Sequence, residues 1–236
     1  MREKMLPLPR ELSQNIAQIQ NGYVNAQSVG YDLNLWKECF PTGSEAACIS
    51  DIYSRFGGTL KRHQVGQLAV EARNGSYFEV QKLFIAAMIW GRGFVGYGPW
   101  RTKESLNSNK AQETLETTVK LISDGHIHAA YENFNLRYCG PAFFTKLFYF
   151  IGLGNMVSPL PLILDSRVVS SLRRIAAQEN LDISLFSKFV VTKRNSVGSV
   201  SSYVSGYMKY IEEMHNWADQ AGTKADYIEY YLFSHA

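Results

Sequence analysis

Residues 140–169, GPAFFTKLFYFIGLGNMVSPLPLILDSRVV, contain the pattern on which the fold prediction depends. The Gly140-Pro141 turn precedes a strongly apolar run, residues 142–152, which predicts a buried helix. Two prolines then predict an extended connection, and Asp165 is placed to cap the helix that follows. The segment therefore predicts two helices joined by a loop, with Lys146 on the first helix and Asp165 at the start of the second.

Most of the remaining chain also carries helical patterns. Residues 78–90, FEVQKLFIAAMIW, place apolar side chains on every face and predict a buried helix that ends in the glycine-rich residues 91–100. The first 60 residues are less clear, and short apolar stretches near Leu33–Trp36 and Val190–Val191 are candidates for strands. The other predicted helices are residues 109–123, 126–133, 166–178, 201–220 and 224–233. We predict a mainly α fold.

Composition excludes several classes of protein. The chain has 236 residues, 46% hydrophobic and 13% aromatic, which suits one large domain or two small, closely packed ones. Its three cysteines, without paired spacing, exclude a disulfide framework and a four-cysteine zinc or iron–sulfur site. The N-terminus lacks the apolar core of a signal peptide, and no run approaches the roughly 20 apolar residues of a membrane span. We expect a cytoplasmic protein that does not contact a membrane.

The sequence contains no pattern typical of a cofactor or metal site. The five histidines lack metal-binding spacing. There is also no phosphate-binding loop, no nucleophile elbow and no dinucleotide-binding glycine motif in a suitable context. We therefore predict neither a cofactor nor a metal.

The net charge of +3 conceals an uneven distribution. Residues 51–110 and residues 137–194 each carry an excess of five positive charges, and the other three segments are together negative by seven. Concentrated positive charge attracts polyanions even when the whole chain is nearly neutral. Ordinary scatter of charged residues explains the same numbers, so the charge pattern needs support from other features.

Lys146 and Asp165 have the most informative surroundings. Lys146 lies in a run of aromatic and aliphatic residues where an ammonium group is hard to keep solvated. Its side chain either extends to the surface or is desolvated, and desolvation favours the neutral, nucleophilic amine. Asp165 begins a helix, where free N–H groups and the helix dipole stabilise a carboxylate. Taken singly, the two residues are most simply a surface lysine and a structural N-cap, so their pairing matters more than either.

This arrangement resembles the helix-hairpin-helix DNA glycosylases, and most closely their 8-oxoguanine branch, which has a lysine inside the hairpin and an aspartate shortly after it. The matching residues are Thr145–Leu147 and Leu162–Val168, and the interval between lysine and aspartate is similar to that of the eukaryotic-type enzymes. The run from Phe78 to Trp90 also resembles the family helix that leads into the base-displacing loop. The hairpin departs from the family's Gly-hydrophobic-Gly pattern, because only Gly140 is present.

The resemblance implies a fold and a mechanism. The expected fold is one glycosylase unit, residues 1–236, with two intimately packed helical subdomains and a cleft between them. The subdomains would span about 60–135 and 136–200, with residues 1–59 and 201–236 completing the second. Lys146 would attack the sugar and Asp165 would stabilise positive charge or take a proton. The expected partner is double-stranded DNA containing a modified base, bound by a monomer.

Further roles follow from the same resemblance. The residues expected to contact DNA are Cys139, Gly140, Pro141, Arg167, Arg92, Trp100 and Arg101. The residues expected to line a base pocket are Phe150, Trp217, Tyr227 and Tyr231. Further cations that would extend the DNA footprint are Arg173, Arg174, Lys188, Lys193 and Arg194. The ordinary alternatives are a glycine-rich surface loop, a solvated helix-surface arginine and aromatic side chains that belong to the core.

Three functions remain open from the sequence. The first is a DNA glycosylase with lysine-dependent AP lyase activity that acts on oxidised purines, above all 8-oxoguanine. The second has the same fold and excises another modified base, including hypermodified bases of phage DNA in antiviral defence. The third is a catalytically inactive helical DNA-binding module. The distance between the Lys146 amine and the Asp165 carboxylate discriminates the enzymes from the module.

Overall fold

The computed structural model describes residues 5–22, 24, 27–179, 181 and 204–236, and these residues are mainly helical. In chain order the elements are α1 (Arg10–Gln14), α2 (Ile16–Gln20), β1 (Ser28–Gly30), α3 (Leu33–Cys39), α4 (Gly43–Phe56), β2 (Thr59–Lys61), α5 (Arg62–Arg73), α6 (Tyr77–Arg92), α7 (Gly98–Leu106), α8 (Ala111–Ser123), α9 (Ile127–Asn133), α10 (Pro141–Gly154), α11 (Ser166–Glu179), α12 (Val204–Ala221) and α13 (Ala225–Ser234). The predicted mainly α fold class is confirmed.

The central helix is α6, which packs against α4, α5, α8 and α10. It begins with a capping box, in which the backbone N–H of Ser76 donates a 2.8 Å hydrogen bond to the Glu79 carboxylate. Nearly all of its side chains are buried, as the apolar residues on every face predict. Even Lys82 is buried, and its ammonium group lies 2.8 Å from the Asp51 carboxylate.

α10 brings Lys146 into this core, because it packs against both α5 and α6. At its crossing with α5, Gly154 approaches the Gly66 carbonyl so closely that a Cβ at position 154 would overlap it. The C-terminal helices complete the core, since α13 packs against α11 and α12. The strands β1 and β2 form a short antiparallel pair in which Val29 lies opposite Leu60.

The strand expectation near Leu33–Trp36 is wrong, because these residues open helix α3. The Asp32 carboxylate accepts a 2.9 Å hydrogen bond from the backbone N–H of Asn34 and caps the helix. The other strand candidate, Val190–Val191, lies outside the described residues. The two observed strands have three residues each, which is too short to show an alternating pattern.

The glycine-rich segment after α6 is not a single loop. The helix includes Gly91 and ends at Arg92, and its C-cap is Gly93, whose φ of 52° is accessible to glycine without strain. The irregular segment is limited to residues 93–97, because α7 already begins at Gly98. The predicted displacing loop is therefore shorter than the sequence indicates.

Two further features concern the chain as a whole. In the described ranges, no helix combines the length and the apolar character needed to cross a bilayer. The division into helical subdomains at about 60–135 and 136–200 stays a prediction.

Candidate active site

Lys146 and Asp165 lie side by side between α10 and α11. The Nζ of Lys146 is 3.3 Å from Oδ2 of Asp165 and donates a 2.6 Å hydrogen bond to the Ala142 carbonyl oxygen. Only 5% of Lys146 and 8% of Asp165 is exposed to solvent, so water screens their interaction weakly. The two groups converge as an enzyme would require, while their catalytic roles stay predictions.

Hydrogen bonds from side chains hold the extended connection that brings Asp165 back to Lys146. The backbone N–H of Leu164 donates a 3.1 Å hydrogen bond to the Thr145 hydroxyl, next to Lys146. On α12, Tyr207 and Tyr210 each donate a 2.8 Å hydrogen bond to the carbonyls of residues 162–163. The sequence carries no local signal for the contacts of Tyr207 and Tyr210, because their partners lie 45 and 47 positions away.

The two carboxylate oxygens of Asp165 have separate partners. Oδ1 accepts hydrogen bonds of 3.1 and 3.2 Å from the backbone N–H groups of Arg167 and Val168. Oδ2 faces the Lys146 ammonium group. The residue is therefore both the helix cap that the sequence predicted and one half of an ion pair.

A second buried ion pair joins α5 to α13. The Arg62 guanidinium makes hydrogen bonds of 2.8 and 3.3 Å to both oxygens of Glu229, and each residue is only 1% exposed. Arg62 also donates a 2.7 Å hydrogen bond to Gln27 and lies 4.8 Å from the ring centre of Tyr149. Burial raises the pKa of Glu229, although Arg62 acts in the opposite direction, and the charge of Asp165 adds to the rise. Sequence spacing does not predict this pair, since 167 positions separate its members.

The aromatic residues expected around a base pocket are not gathered at one opening. Phe150 is fully buried and packs edge-on against Trp90, with 5.2 Å between ring centres. Trp217 is fully buried on α12. Tyr227 borders a cavity of about 450 Å³ beside α12, and it borders a second of about 340 Å³ beside α2 together with Tyr231. Neither cavity is bordered by Phe150 or Trp217, which belong to the hydrophobic core, and the base-pocket role of the four residues stays a prediction.

Arg92 is buried instead of being displayed on a loop. Only 5% of it is exposed, its guanidinium lies 3.8 Å from the ring centre of Phe143, and it donates a 3.0 Å hydrogen bond to the Tyr138 carbonyl. Within the described part of the chain no carboxylate pairs with it, and burial lowers the pKa of Arg92 to about 10. The side chain joins α6 to the turn before α10, and the contact of Arg92 with DNA stays a prediction.

Trp100 and Arg101 are exposed on the first turn of α7. The ring of Trp100 lies 4.9 Å from that of Tyr138, and the Arg137 guanidinium lies 4.7 Å from the same tyrosine ring. Sequence analysis missed Tyr138, whose φ of 61° marks a tight turn. Here an exposed aromatic pair is flanked by cations close to the start of α10.

The turn before α10 contains the N-cap of that helix, Gly140, and the buried thiol of Cys139. Gly140 is the N-cap of the helix, and its carbonyl accepts hydrogen bonds of 2.8 and 3.0 Å from the N–H groups of Phe143 and Phe144. Pro141 is buried at the first helical position. Burial raises the pKa of the Cys139 thiol to about 12. The Cys139 side chain is therefore a buried core group, and the contact of this residue with DNA stays a prediction.

The remaining cations differ in their availability. Arg167 is exposed, with its guanidinium 4.5 Å from the ring centre of Phe233. Arg174 is instead paired with Glu11, so its charge is already compensated. Three of the predicted cations lie outside the described residues, namely Lys188, Lys193 and Arg194.

The described residues contain no group of three or more His, Cys, Asp or Glu side chains placed to hold a metal ion.

Comparison with protein-family models gives a match over residues 22–233 to the family described as "Putative 8-oxoguanine DNA glycosylase OGG-like protein". The matched range includes both ion pairs described above. Searches among curated proteins and among solved structures found no match.

Proposed function

The chain belongs to the 8-oxoguanine DNA glycosylase OGG-like family, and from this premise we propose that it excises a modified base from duplex DNA. The observation that carries the proposal is the 3.3 Å separation between the Lys146 amine and the Asp165 carboxylate. An amine nucleophile and an adjacent carboxylate are the groups that a lysine-dependent glycosylase needs. We propose 8-oxoguanine as the base, because the family description names it.

The sugar of a target nucleotide is accessible only after the base has left the helical stack. With the nucleotide flipped out, the Lys146 ammonium group first gives up a proton to Oδ2 of Asp165, and Nζ then attacks C1′ while the glycosidic bond breaks. The base leaves with the bonding electron pair and takes up a proton from water. Oδ2 of Asp165 is placed to accept the proton that the amine loses and to stabilise positive charge on the sugar.

Strand cleavage follows from the same covalent bond. The nitrogen that joins Lys146 to C1′ passes a proton to the ring oxygen O4′, the C1′–O4′ bond breaks, and a protonated Schiff base between C1′ and Lys146 remains. Loss of a C2′ proton then expels the 3′ phosphate by β-elimination. We propose this AP lyase step as part of the activity.

Two surfaces near the site support DNA binding. The N-terminus of α10, at Gly140, carries the positive end of the helix dipole, which favours a phosphate. Trp100 and Arg101 are exposed on α7. The ring of Trp100 can fill the space left by a flipped base, and the Arg101 guanidinium can bind the phosphate backbone of the DNA. Arg167, two residues after Asp165, offers a further exposed cation.

Trapping with borohydride tests the covalent step. Borohydride reduces a Schiff base to a stable amine, so the wild-type protein should form a covalent adduct with a duplex containing 8-oxoguanine. Lys146→Gln should form none, whereas Lys120→Gln, an exposed lysine of α8, should form as much as wild type. An undiminished adduct in Lys146→Gln would refute the assigned nucleophile.

A panel of duplexes tests the substrate. It should contain 8-oxoguanine, uracil, alkylated bases and glucosylated bases, with base release measured for each. Release of 8-oxoguanine alone supports the proposal. Release of another base in its place would refute 8-oxoguanine as the substrate but would leave the proposed glycosylase activity standing. Binding without base release from any duplex would refute the proposed enzymatic activity.

A further inference from the structure

Gly91 faces the side chain of Lys146 from the last turn of α6. A Cβ added at position 91 would lie 2.8 Å from Cδ of Lys146 and 3.5 Å from its Cε. Carbon atoms that are not bonded prefer separations of about 3.5–4.0 Å, so the first of these contacts is a steric overlap. Glycine is disfavoured inside a helix relative to alanine, which indicates that a tertiary constraint accounts for it here.

Lys146 cannot relieve such an overlap without moving its amine. Its Nζ is held by the Ala142 carbonyl at 2.6 Å and faces Asp165 at 3.3 Å, and the side chain is almost entirely buried. Cδ lies in the middle of the side chain, so displacing it rotates Cε and Nζ away from these partners.

α6 cannot readily move away from α10 either. The residue after Gly91 is Arg92, whose guanidinium lies 3.8 Å from the ring centre of Phe143 on α10 and is hydrogen-bonded to the Tyr138 carbonyl. The same ring lies 5.5 Å from Nζ of Lys146. The ring of Phe143 therefore lies close to both cations, and the last turn of α6 is attached to the helix that carries the amine.

We propose that Gly91 is a positioning residue for Lys146, because the missing Cβ leaves the space in which the lysine chain extends toward Asp165. The inference rests on the proposed function in that Lys146 is taken as the nucleophile. A nucleophile displaced by about 1 Å loses about 100-fold in rate, so Gly91→Ala should lower the single-turnover rate of adduct formation by about that factor. The dissociation constant for DNA should stay within about twofold, since Gly91 has no side chain that could contact DNA.

The kinetic experiment compares Gly91→Ala with Gly58→Ala at saturating DNA. Gly58 is an exposed glycine before β2 with no atom within 4 Å of an added Cβ, so this control should keep the wild-type rate. A wild-type rate in Gly91→Ala would overturn the proposal. A loss of rate matched by an equal loss of DNA affinity would also overturn it, because the effect would then lie in binding.

A thermal double-mutant cycle tests the contact without using activity. Gly91→Ala should lower Tm in the wild-type background and should leave or raise Tm in a Lys146→Ala background, where the overlapping atoms are absent. Equal Tm shifts in the two backgrounds would overturn the proposed contact. If Gly91→Ala fails to fold, folding of the double variant supports the contact and failure of both overturns it. If the wild-type protein releases no base and forms no adduct, the proposed function fails while the cycle still decides whether Gly91 makes room for Lys146.

Discussion

Replacing Asp165 by asparagine and by alanine separates its structural role from its proposed chemical role. Oδ1 of Asp165 caps α11 through the N–H groups of Arg167 and Val168, while Oδ2 faces Lys146. Asparagine can keep the capping oxygen and place its amide nitrogen toward Lys146. Alanine removes both oxygens, so the two variants share the loss of the ion pair and differ in the cap.

The expected magnitudes follow from these contacts. Loss of an N-cap costs about 0.5–2 kcal/mol, whereas asparagine caps about as well as aspartate. For a chain of this size about 1 kcal/mol shifts Tm by about 2–4 °C, so Asp165→Ala should melt about 1–8 °C below Asp165→Asn. Both variants lose the charge beside the reacting sugar, and removing one such stabilising group costs about 100- to 1,000-fold in rate.

The assays are thermal denaturation followed by circular dichroism, and single-turnover base release from a duplex containing 8-oxoguanine. Equal Tm values for the two variants would refute the capping argument. Base release at the wild-type rate in Asp165→Asn would refute the requirement for a carboxylate, and with it the assigned mechanism. A loss of activity in Asp165→Ala alone would place the role of the residue in the helix cap.

Three further predictions concern the second ion pair and the DNA surface. Arg62→Met should lower the free energy of unfolding by about 3–5 kcal/mol in urea denaturation, because Glu229 is left buried and unpaired. Burial already raises the pKa of Glu229, and loss of Arg62 raises it further, so Glu229 of the folded variant takes up a proton as pH falls. The destabilisation caused by Arg62→Met should therefore be smaller at pH 5 than at pH 8. Equal losses of unfolding free energy at the two pH values would contradict this argument. Trp100→Ala should weaken base extrusion, seen as a smaller increase in 2-aminopurine fluorescence on binding, and an unchanged increase would argue against a wedge. Arg101→Gln should reduce the slope of log affinity for DNA against log salt concentration by about 1. An unaltered slope would show that Arg101 does not contact a phosphate.

Much of the helical framework could be predicted because its signals are local. The Gly140-Pro141 turn, the apolar run after it and the Asp165 cap each act on neighbouring residues, and helices α10 and α11 begin within one residue of the predicted positions. The convergence of Lys146 and Asp165, whose Nζ and Oδ2 lie 3.3 Å apart, was implied by the resemblance to the helix-hairpin-helix glycosylases and not by local signals.

Contacts between distant parts of the chain could not be predicted in this way. Arg62 and Glu229 meet across 167 positions, and each charged residue taken alone has the sequence signature of a surface residue. The burial of Arg92 depends on the ring of Phe143, and the burial of Phe150 depends on Trp90. Which face of a helix is covered depends on the helix that packs against it, and the pattern along one helix does not identify that partner.

The sequence by itself determined the helical class, the order of the helices around residues 140–169 and the choice of Lys146 and Asp165 as the paired groups. It did so because turns, caps and apolar periodicity are properties of adjacent residues. Only the tertiary structure decided that Gly91 is helical and lies against the lysine chain, since that depends on how closely α6 and α10 approach. Close packing between helices leaves no free volume for one methyl group there, and this is a property of two surfaces brought together that neither segment carries alone.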